Sequence, residues 1–178
     1  QELAVLSPVM KPAKVYFGNS GTEANETAVK ICKAARLSRG EPNRQKTIYF
    51  KNSFHGRTLG IIAGTTSKPE KQRDPFWDHC DAENTIYLPY PTKGTNPSLY
   101  RDYFWRINTA YVDKLFIELP CQGEGGIIPA REECVKEIYK ATRENGIFFI
   151  VDAIQCGMGR TGTLFGTERW PWLTPDGA

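Results

Sequence analysis

The chain has 178 residues, 40% of them hydrophobic, and its 23 basic and 20 acidic residues leave a net charge of +3. That length supports one domain with a real core, and the scattered basic residues offer no dedicated nucleic-acid or membrane surface. No apolar run approaches the roughly 18 residues that span a bilayer, and the five widely spaced cysteines, without a C-x-x-C pair, fit neither a disulfide framework nor a metal site and read as free thiols of a reducing compartment.

In chain order, KVYF (14–17) is a β-rich run that predicts a strand, and NSGTEANETAVKICKAARLSRG predicts a loop followed by a helix. Ser20 and Glu23 have capping-box spacing, so the helix starts there. Ala24, Ala28, Ile31, Cys32 and Ala35 fall on one helical face, and Gly40 and Pro42 end the helix. TIYF (47–50) and TIYL (85–88) predict strands. Residues 67–84 between them are polar and turn-rich, and 89–98, with three prolines, predict irregular chain.

KLFIEL (114–119) predicts another strand. Residues 130–145 predict a helix whose inward face is Cys134, Val135, Ile138, Tyr139 and Thr142, with Gly146 at its C-terminus. IFFIV (147–151) follows as a strand that is apolar on both sides, the pattern of a parallel strand covered by helices. Strand–helix alternation therefore predicts an α/β fold with a mostly parallel sheet and helices on both faces. In such sheets ligands sit beyond the carboxyl ends of the strands, and Asp152 stands at such an end.

Four stretches can carry chemistry, and each also has a plain structural reading. NSGTE (19–23) places a glycine before a helix start, where free N–H groups and the helix dipole suit a phosphate; a simple capped helix would look the same. SFHGRT (53–58) offers Phe54 to stack on a ring and Arg57 to grip a carboxylate, or it is an ordinary polar loop. ELPCQGEGG (118–126) presents Gln122 and Glu124 on a glycine-rich turn, or a surface hairpin. In VDAIQCGMGRTG, Asp152 is a carboxylate at a buried strand end, which costs several kcal/mol unless it meets a cation or donor. A protonated heteroaromatic nitrogen would serve, and so would a salt bridge to Arg160. Cys156 beside it reads as a small apolar filler.

Taken together, NSGTEANE, FHGRTLG, QGEGG and VDAIQCGMGRTG resemble, in order and spacing, the class III pyridoxal-phosphate aminotransferases, the family of acetylornithine, ornithine and 4-aminobutyrate aminotransferases. The resemblance covers nearly the whole chain. It implies the large domain of the type I fold of pyridoxal-phosphate-dependent transferases. It also implies transfer of an amino group from an ornithine-, acetylornithine- or 4-aminobutyrate-like donor to a 2-oxo acid, with pyridoxal 5'-phosphate as cofactor. The catalytic residue it implies is Asp152, paired with the pyridine nitrogen. Gly21 and Thr22 match the phosphate-holding loop, Phe54 and Ile154 the residues on the two ring faces, and Gln155 the residue near the ring's phenolic oxygen. Arg57 matches a substrate-carboxylate arginine, and Glu124 a glutamate that gates a second arginine lying beyond this chain. No metal is implied.

The chain departs from the family pattern in three places. Ala153 replaces a glutamate. Aligned on Gln122, Leu119 stands where a glutamate usually does; Glu118 sits one residue back, a shift that on a strand turns a side chain to the other face. Pro175-Asp176 are present, but the Schiff-base lysine that follows such a pair in the family is not within the 178 residues, and Lys140, the nearest lysine to Asp152, lies on an upstream helix.

Residues 1–178 are thus expected to be part of the cofactor-binding large domain, with an N-terminal segment, the lysine region and the C-terminal small domain lying outside them, and to be inactive alone. A homodimer in the cytoplasm is expected for the complete protein; with no initiator methionine at its start, a mitochondrial location stays open. Alternatives are an aminomutase or decarboxylase of the same fold, a non-catalytic cofactor-binding piece, or a nucleotide-binding α/β domain. The last is disfavoured because the G-x-G-x-x-G of 157–162 precedes no helical pattern.

Overall fold

A computed structural model of the chain describes residues 2–9 and 11–178. Its helices are α1 (Glu2–Leu6), α2 (Gly21–Ser38), α3 (Pro69–Gln72), α4 (Ser98–Arg106) and α5 (Glu132–Glu144). Its strands are β1 (Lys46–Phe50), β2 (Thr85–Leu88), β3 (Val112–Glu118), β4 (Cys121–Gln122), β5 (Ile128–Pro129) and β6 (Phe148–Asp152). Strands β2, β1, β3 and β6 lie side by side in that order, every pair parallel, while β4 and β5 make a short antiparallel ribbon. Beyond β6, Gly177 forms a parallel bridge to Ile150, so residues 176–177 run along that edge of the sheet.

Two-residue periodicity divides the sheet between two apolar clusters. Ile48, Phe50, Leu115, Ile117, Phe149 and Val151 point one way, into α4 and α5. Tyr49, Phe116 and Ile150 point the other way, into α2 through Cys32, Ala28 and Val29. The sheet is therefore covered on both faces, which is why β3, at its centre, is buried at all seven positions. Each fully buried Ile, Leu or Phe contributes about 1.5–3 kcal/mol. The next residues in the second series are Glu118 and Asp152. Both are carried to the α2 side at the carboxyl end of the sheet, as register partners.

Helix α2 begins as its sequence predicts. Ser20 accepts from Glu23 N–H at 3.3 Å, and the Glu23 carboxylate returns to Ser20 N–H at 3.1 Å. Its inward face is rotated from the expected one: Asn25, Cys32 and Arg36 are buried, whereas Ala24 and Ile31 are exposed. Polar partners decide the rotation. Arg36 donates to Asp113 Oδ1 (2.8 Å), to the carbonyls of Asp113 and Gly146 (2.7 Å each) and to Glu41 (2.7 Å), tying the helix's last turns to the amino ends of β3 and β6. Such charge-assisted bonds outweigh burial of one more isoleucine.

Helix α5 presents the expected face, with Tyr139 half-buried, and Gly146 follows it at φ +62°, the left-handed position that suits glycine. Three sequence expectations fail. KVYF (14–17) is not a strand: Val15, Tyr16 and Phe17 are exposed, and a β-rich run forms a strand only where a neighbour supplies the ladder. Residues 67–84 are not loop throughout, since they hold α3 and a 3-10 segment, Asp74–His79. Helix α4 lies where no helix is expected, anchored by Tyr100 and Phe104, one turn apart and both buried.

Candidate active site

The carboxyl ends of β1, β3 and β6 release three loops that converge with the start of α2. Between them is a cleft of about 140 Å³ lined by Gly21, Thr22, Phe54, His55, Asp152, Ile154 and Gln155. A larger, open depression of about 610 Å³ shares Ile154 and Gln155 and continues along Gly157–Arg160. All six residues expected to hold a cofactor therefore meet in one place. Arg57 and Glu124 are not among the cleft's lining residues. Arg57 is exposed, and no ion pair forms on it among the described residues. Glu124 is engaged elsewhere, accepting from Gln72 Nε2 at 2.9 Å and facing Lys68 Nζ at 3.7 Å.

Asp152 is 5% exposed. Its Oδ2 accepts from Asn25 Nδ2 at 2.8 Å and lies 2.8 Å from His55 Nδ1, which donates to it when protonated. Its Oδ1 accepts from Ile154 N–H at 3.1 Å. Asn25 also donates to the His55 backbone carbonyl at 2.8 Å, so Asn25, His55 and Asp152 form a frame closed through the His55 main chain. The salt bridge to Arg160 considered from sequence does not form; the carboxylate's ionisable neighbour is His55. The ring of His55 is wedged between Tyr49 and Phe116, with centroids 5.5 and 5.7 Å away, and its Nε2 is buried without a partner.

Glu118, 2% exposed, plays a different part. It accepts from Phe54 N–H at 2.9 Å and from Gly123 N–H at 3.0 Å, fixing the loops after β1 and β3 to each other. Glu118 and Leu119 face opposite ways, as the two-residue period requires: Leu119 continues the Leu115 and Ile117 series into the α4 and α5 side, and Glu118 is carried to the α2 side. Burial pushes its carboxyl above the ordinary value, against the lowering exerted by His55 and by the two N–H donors. Gln122 completes the loop scaffold by donating to the Lys51 carbonyl at 2.8 Å and to Ser53 Oγ at 3.0 Å.

Two glycines keep the walls close. A Cβ on Gly21 would lie 2.5 Å from Ile154 Cδ1, and one on Gly123 would lie 1.8 Å from Gln155 Oε1. The backbone at the start of α2 and in the loop after β3 therefore lies directly against the side chains of Ile154 and Gln155 on the turn after β6. The donor set suits a flat, phosphate-bearing, protonated heteroaromatic group. Free helix-start N–H groups and Thr22 offer anion contacts. Phe54 and Ile154 supply apolar surface, and a buried carboxylate stands at the cleft wall. Asn25, Glu118 and His55's contact with Asp152 are the working residues that sequence motifs alone did not mark. The available signal was the two-residue period through Phe116–Glu118 and Ile150–Asp152, which puts both acids under α2.

The aminotransferase class-III family profile matches residues 1–177. A probable mitochondrial acetylornithine aminotransferase of Schizosaccharomyces pombe is 38% identical over 165 residues, covering 92% of this chain and 34% of that protein. The acetylornithine aminotransferase of Clostridium acetobutylicum is 36% identical over 163 residues, covering 92% and 38% respectively. Among solved structures, a transaminase with L-alanine superposes with a TM-score of 0.84 at 28% identity, covering 98% of this chain and 42% of that one. The ω-transaminase of Pseudomonas jessenii in complex with PMP gives 0.83 at 29% identity, covering 98% and 40%. The chain thus spans well under half the length of the relatives it matches, and its parallel sheet and flanking helices are those of the type I pyridoxal-phosphate-dependent fold.

Proposed function

Because the chain belongs to the class-III aminotransferase family, whose members depend on pyridoxal phosphate, we propose that it is the cofactor-gripping part of an enzyme that moves an amino group from an ornithine-, acetylornithine- or 4-aminobutyrate-like donor to a 2-oxo acid. The observation that carries this reading is the Asp152 carboxylate, buried at the cleft and held by Asn25 and His55. When bound, pyridoxal 5'-phosphate supplies an electron sink for the substrate carbon.

The chain's own residues bind and orient. Asp152 would hold a proton on the cofactor's ring nitrogen, because a fixed buried carboxylate favours the cationic partner. The N–H groups at the start of α2, with Gly21 and Thr22, would hold the phosphate. Phe54 and Ile154 would give apolar surface to the ring, and Gln155 would bind its phenolic oxygen. Arg57, exposed and without an ion-pair partner among the described residues, receives a substrate carboxylate as a fork. Glu124, now bonded to Gln72, is free to exchange that partner for an arginine elsewhere in the complete protein.

Among the described residues no lysine lines the cleft. We assign the covalent lysine, the small domain and an N-terminal segment to the rest of a longer, homodimeric protein of the cytoplasm or the mitochondrion. Among the described residues no helix is long and apolar enough to cross a membrane, and no cluster of potential metal ligands forms. The complete enzyme is tested by single-turnover half-reactions with ornithine, N-acetylornithine and 4-aminobutyrate. Rapid amino transfer from one of them, abolished by Arg57→Ala, is expected; turnover of none, or no change on removing Arg57, rejects the reading. Borohydride fixation of the cofactor onto residues 1–178 alone would reject the assignment of the lysine to another segment.

A further inference from the structure

The strands that end in Glu118 and Asp152 each release a loop carrying a cysteine, and the two cysteines meet. Cys121 Sγ lies 3.3 Å from Cys156 Sγ, and the Cys156 thiol also donates to the Cys121 carbonyl at 3.1 Å. The remaining cysteines contact other groups: Cys134 and Cys80 donate to the carbonyls of Thr95 and Trp77, and Cys32 is buried on the inward face of α2. Cys121 is half-buried, while Cys156 is 3% exposed. A small solute therefore reaches the first thiol, with the second directly behind it. That is how a peroxide-reactive thiol and its resolving thiol are disposed.

We propose that Cys121 and Cys156 are a redox-modification site, a dithiol that a hydroperoxide converts to an intrachain disulfide. The Cys121 thiolate attacks a peroxide oxygen and the O–O bond breaks, leaving a sulfenic acid and a hydroxide that takes up the thiol's proton to become water. The Cys156 sulfur then attacks the Cys121 sulfur, the S–S bond forms, the S–O bond breaks, and the sulfenic oxygen leaves as water with the Cys156 proton. In total two thiols are oxidised and one peroxide is reduced to two waters.

The sulfurs need approach by only about 1 Å to reach a bond of ~2.05 Å. Burial, reinforced by the Cys121 thiol, pushes Cys156 up to about 12, so it holds its proton at neutral pH and acts second. The bond would join the loop carrying Gln122–Glu124 to the turn carrying Ile154 and Gln155, two segments already in contact where Gly123 faces Gln155. A bond of this kind in a reducing compartment forms transiently, under oxidant. The inference needs only this geometry and is independent of the amino-transfer reading.

The test uses the full-length protein freed of reductant. It is exposed to near-stoichiometric hydrogen peroxide, quenched by alkylation, digested without reductant and mapped by mass spectrometry. The expected dominant product is a cross-linked peptide pair containing Cys121 and Cys156, two hydrogens lighter than the dithiol and separated by dithiothreitol. Cys156→Ser is expected to leave a dimedone-reactive sulfenic acid at Cys121, and Cys121→Ser to leave Cys156 reduced. Recovery of both residues as alkylated thiols, or of Cys121 as sulfinic acid without any cross-link, overturns the proposal. The wild-type map needs no variant, so a folding defect in either serine variant leaves the result readable.

Discussion

Glu118 and Asp152 end adjacent parallel strands as register partners, and both are almost fully buried. Their surroundings separate them. Both bonds to Glu118 come from backbone N–H groups, of Phe54 and Gly123, and their effect is to hold two loops together. Asp152 is held mainly by side chains, Asn25 from α2 and His55 from the loop after β1, and it lines the cleft. A buried carboxylate satisfied by local backbone is a structural fastener. One held in place by side chains from two other elements, beside an open space, is positioned for a partner that is not part of the chain. Burial alone does not distinguish them; the identity of the donors does.

The sharpest way to break this contrast is to turn each acid into its amide in the full-length protein. Asp152→Asn retains an oxygen that can accept from Asn25 and His55 and turns its NH₂ toward the Ile154 N–H, so some stability is lost but folding should survive. It removes the charge that the proposed function sets against the ring nitrogen, and losing one preorganised electrostatic partner costs on the order of 10²–10³ in rate. The expected result is a cofactor-loaded protein, seen in its absorbance spectrum, whose half-reaction with amino donor slows by that factor. A half-reaction at the wild-type rate would remove Asp152 from its assigned role.

The next largest effect is on stability. In Glu118→Gln one of the two acceptor oxygens becomes an NH₂ group pointing at a backbone N–H, leaving a buried donor unpaired at a cost of about 1–3 kcal/mol. The denaturation midpoint should fall accordingly, while the half-reaction rate of the remaining folded protein stays within a few-fold of wild type. If Glu118→Gln slowed chemistry as much as Asp152→Asn and left stability unchanged, the division between fastener and positioned charge would be wrong.

The same two acids show what can be read from sequence. The parallel α/β core was legible because IFFIV and KLFIEL are apolar on both sides and a strongly amphipathic helix lies between them. That Gly21, Thr22, Phe54, Asp152, Ile154 and Gln155 would meet in one cleft was legible because the four motifs stand at fixed places after strands or before a helix. What stayed hidden depends on long-range pairing. The rotation of α2 is set by Asp113 and Gly146, which lie 77 and 110 residues from Arg36 along the chain. The role of Glu118 is set by the N–H of Phe54, 64 residues away along the chain, and by that of Gly123 in the loop after β3. KVYF and α4 failed in opposite directions for one reason: local propensity yields to whether a neighbour exists to pair with or bury against.

The smallest effect links the two strand ends. Gly123 follows the glutamine whose amide braces the loop after β1, and its N–H is one of Glu118's two donors. Its α-carbon faces Gln155, two residues after the turn begins at Ala153, so that an added Cβ would sit 1.8 Å from Gln155 Oε1. Gln155 is exposed and borders the open depression, so its amide has room to swing outward while the backbone stays put. Gly123→Ala should therefore leave the fold and the Glu118 bonds intact and displace only Gln155. Overpacking relieved by one side-chain rotation costs at the low end of its usual range, about 1 kcal/mol, which is roughly a five- to tenfold loss of cofactor affinity. Equilibrium titration of the full-length apoenzyme with pyridoxal phosphate measures it. An unchanged dissociation constant would mean that Gln155 does not touch the cofactor. A large fall in the denaturation midpoint would mean instead that the loop after β3 had yielded and that Glu118 had lost its hold on it.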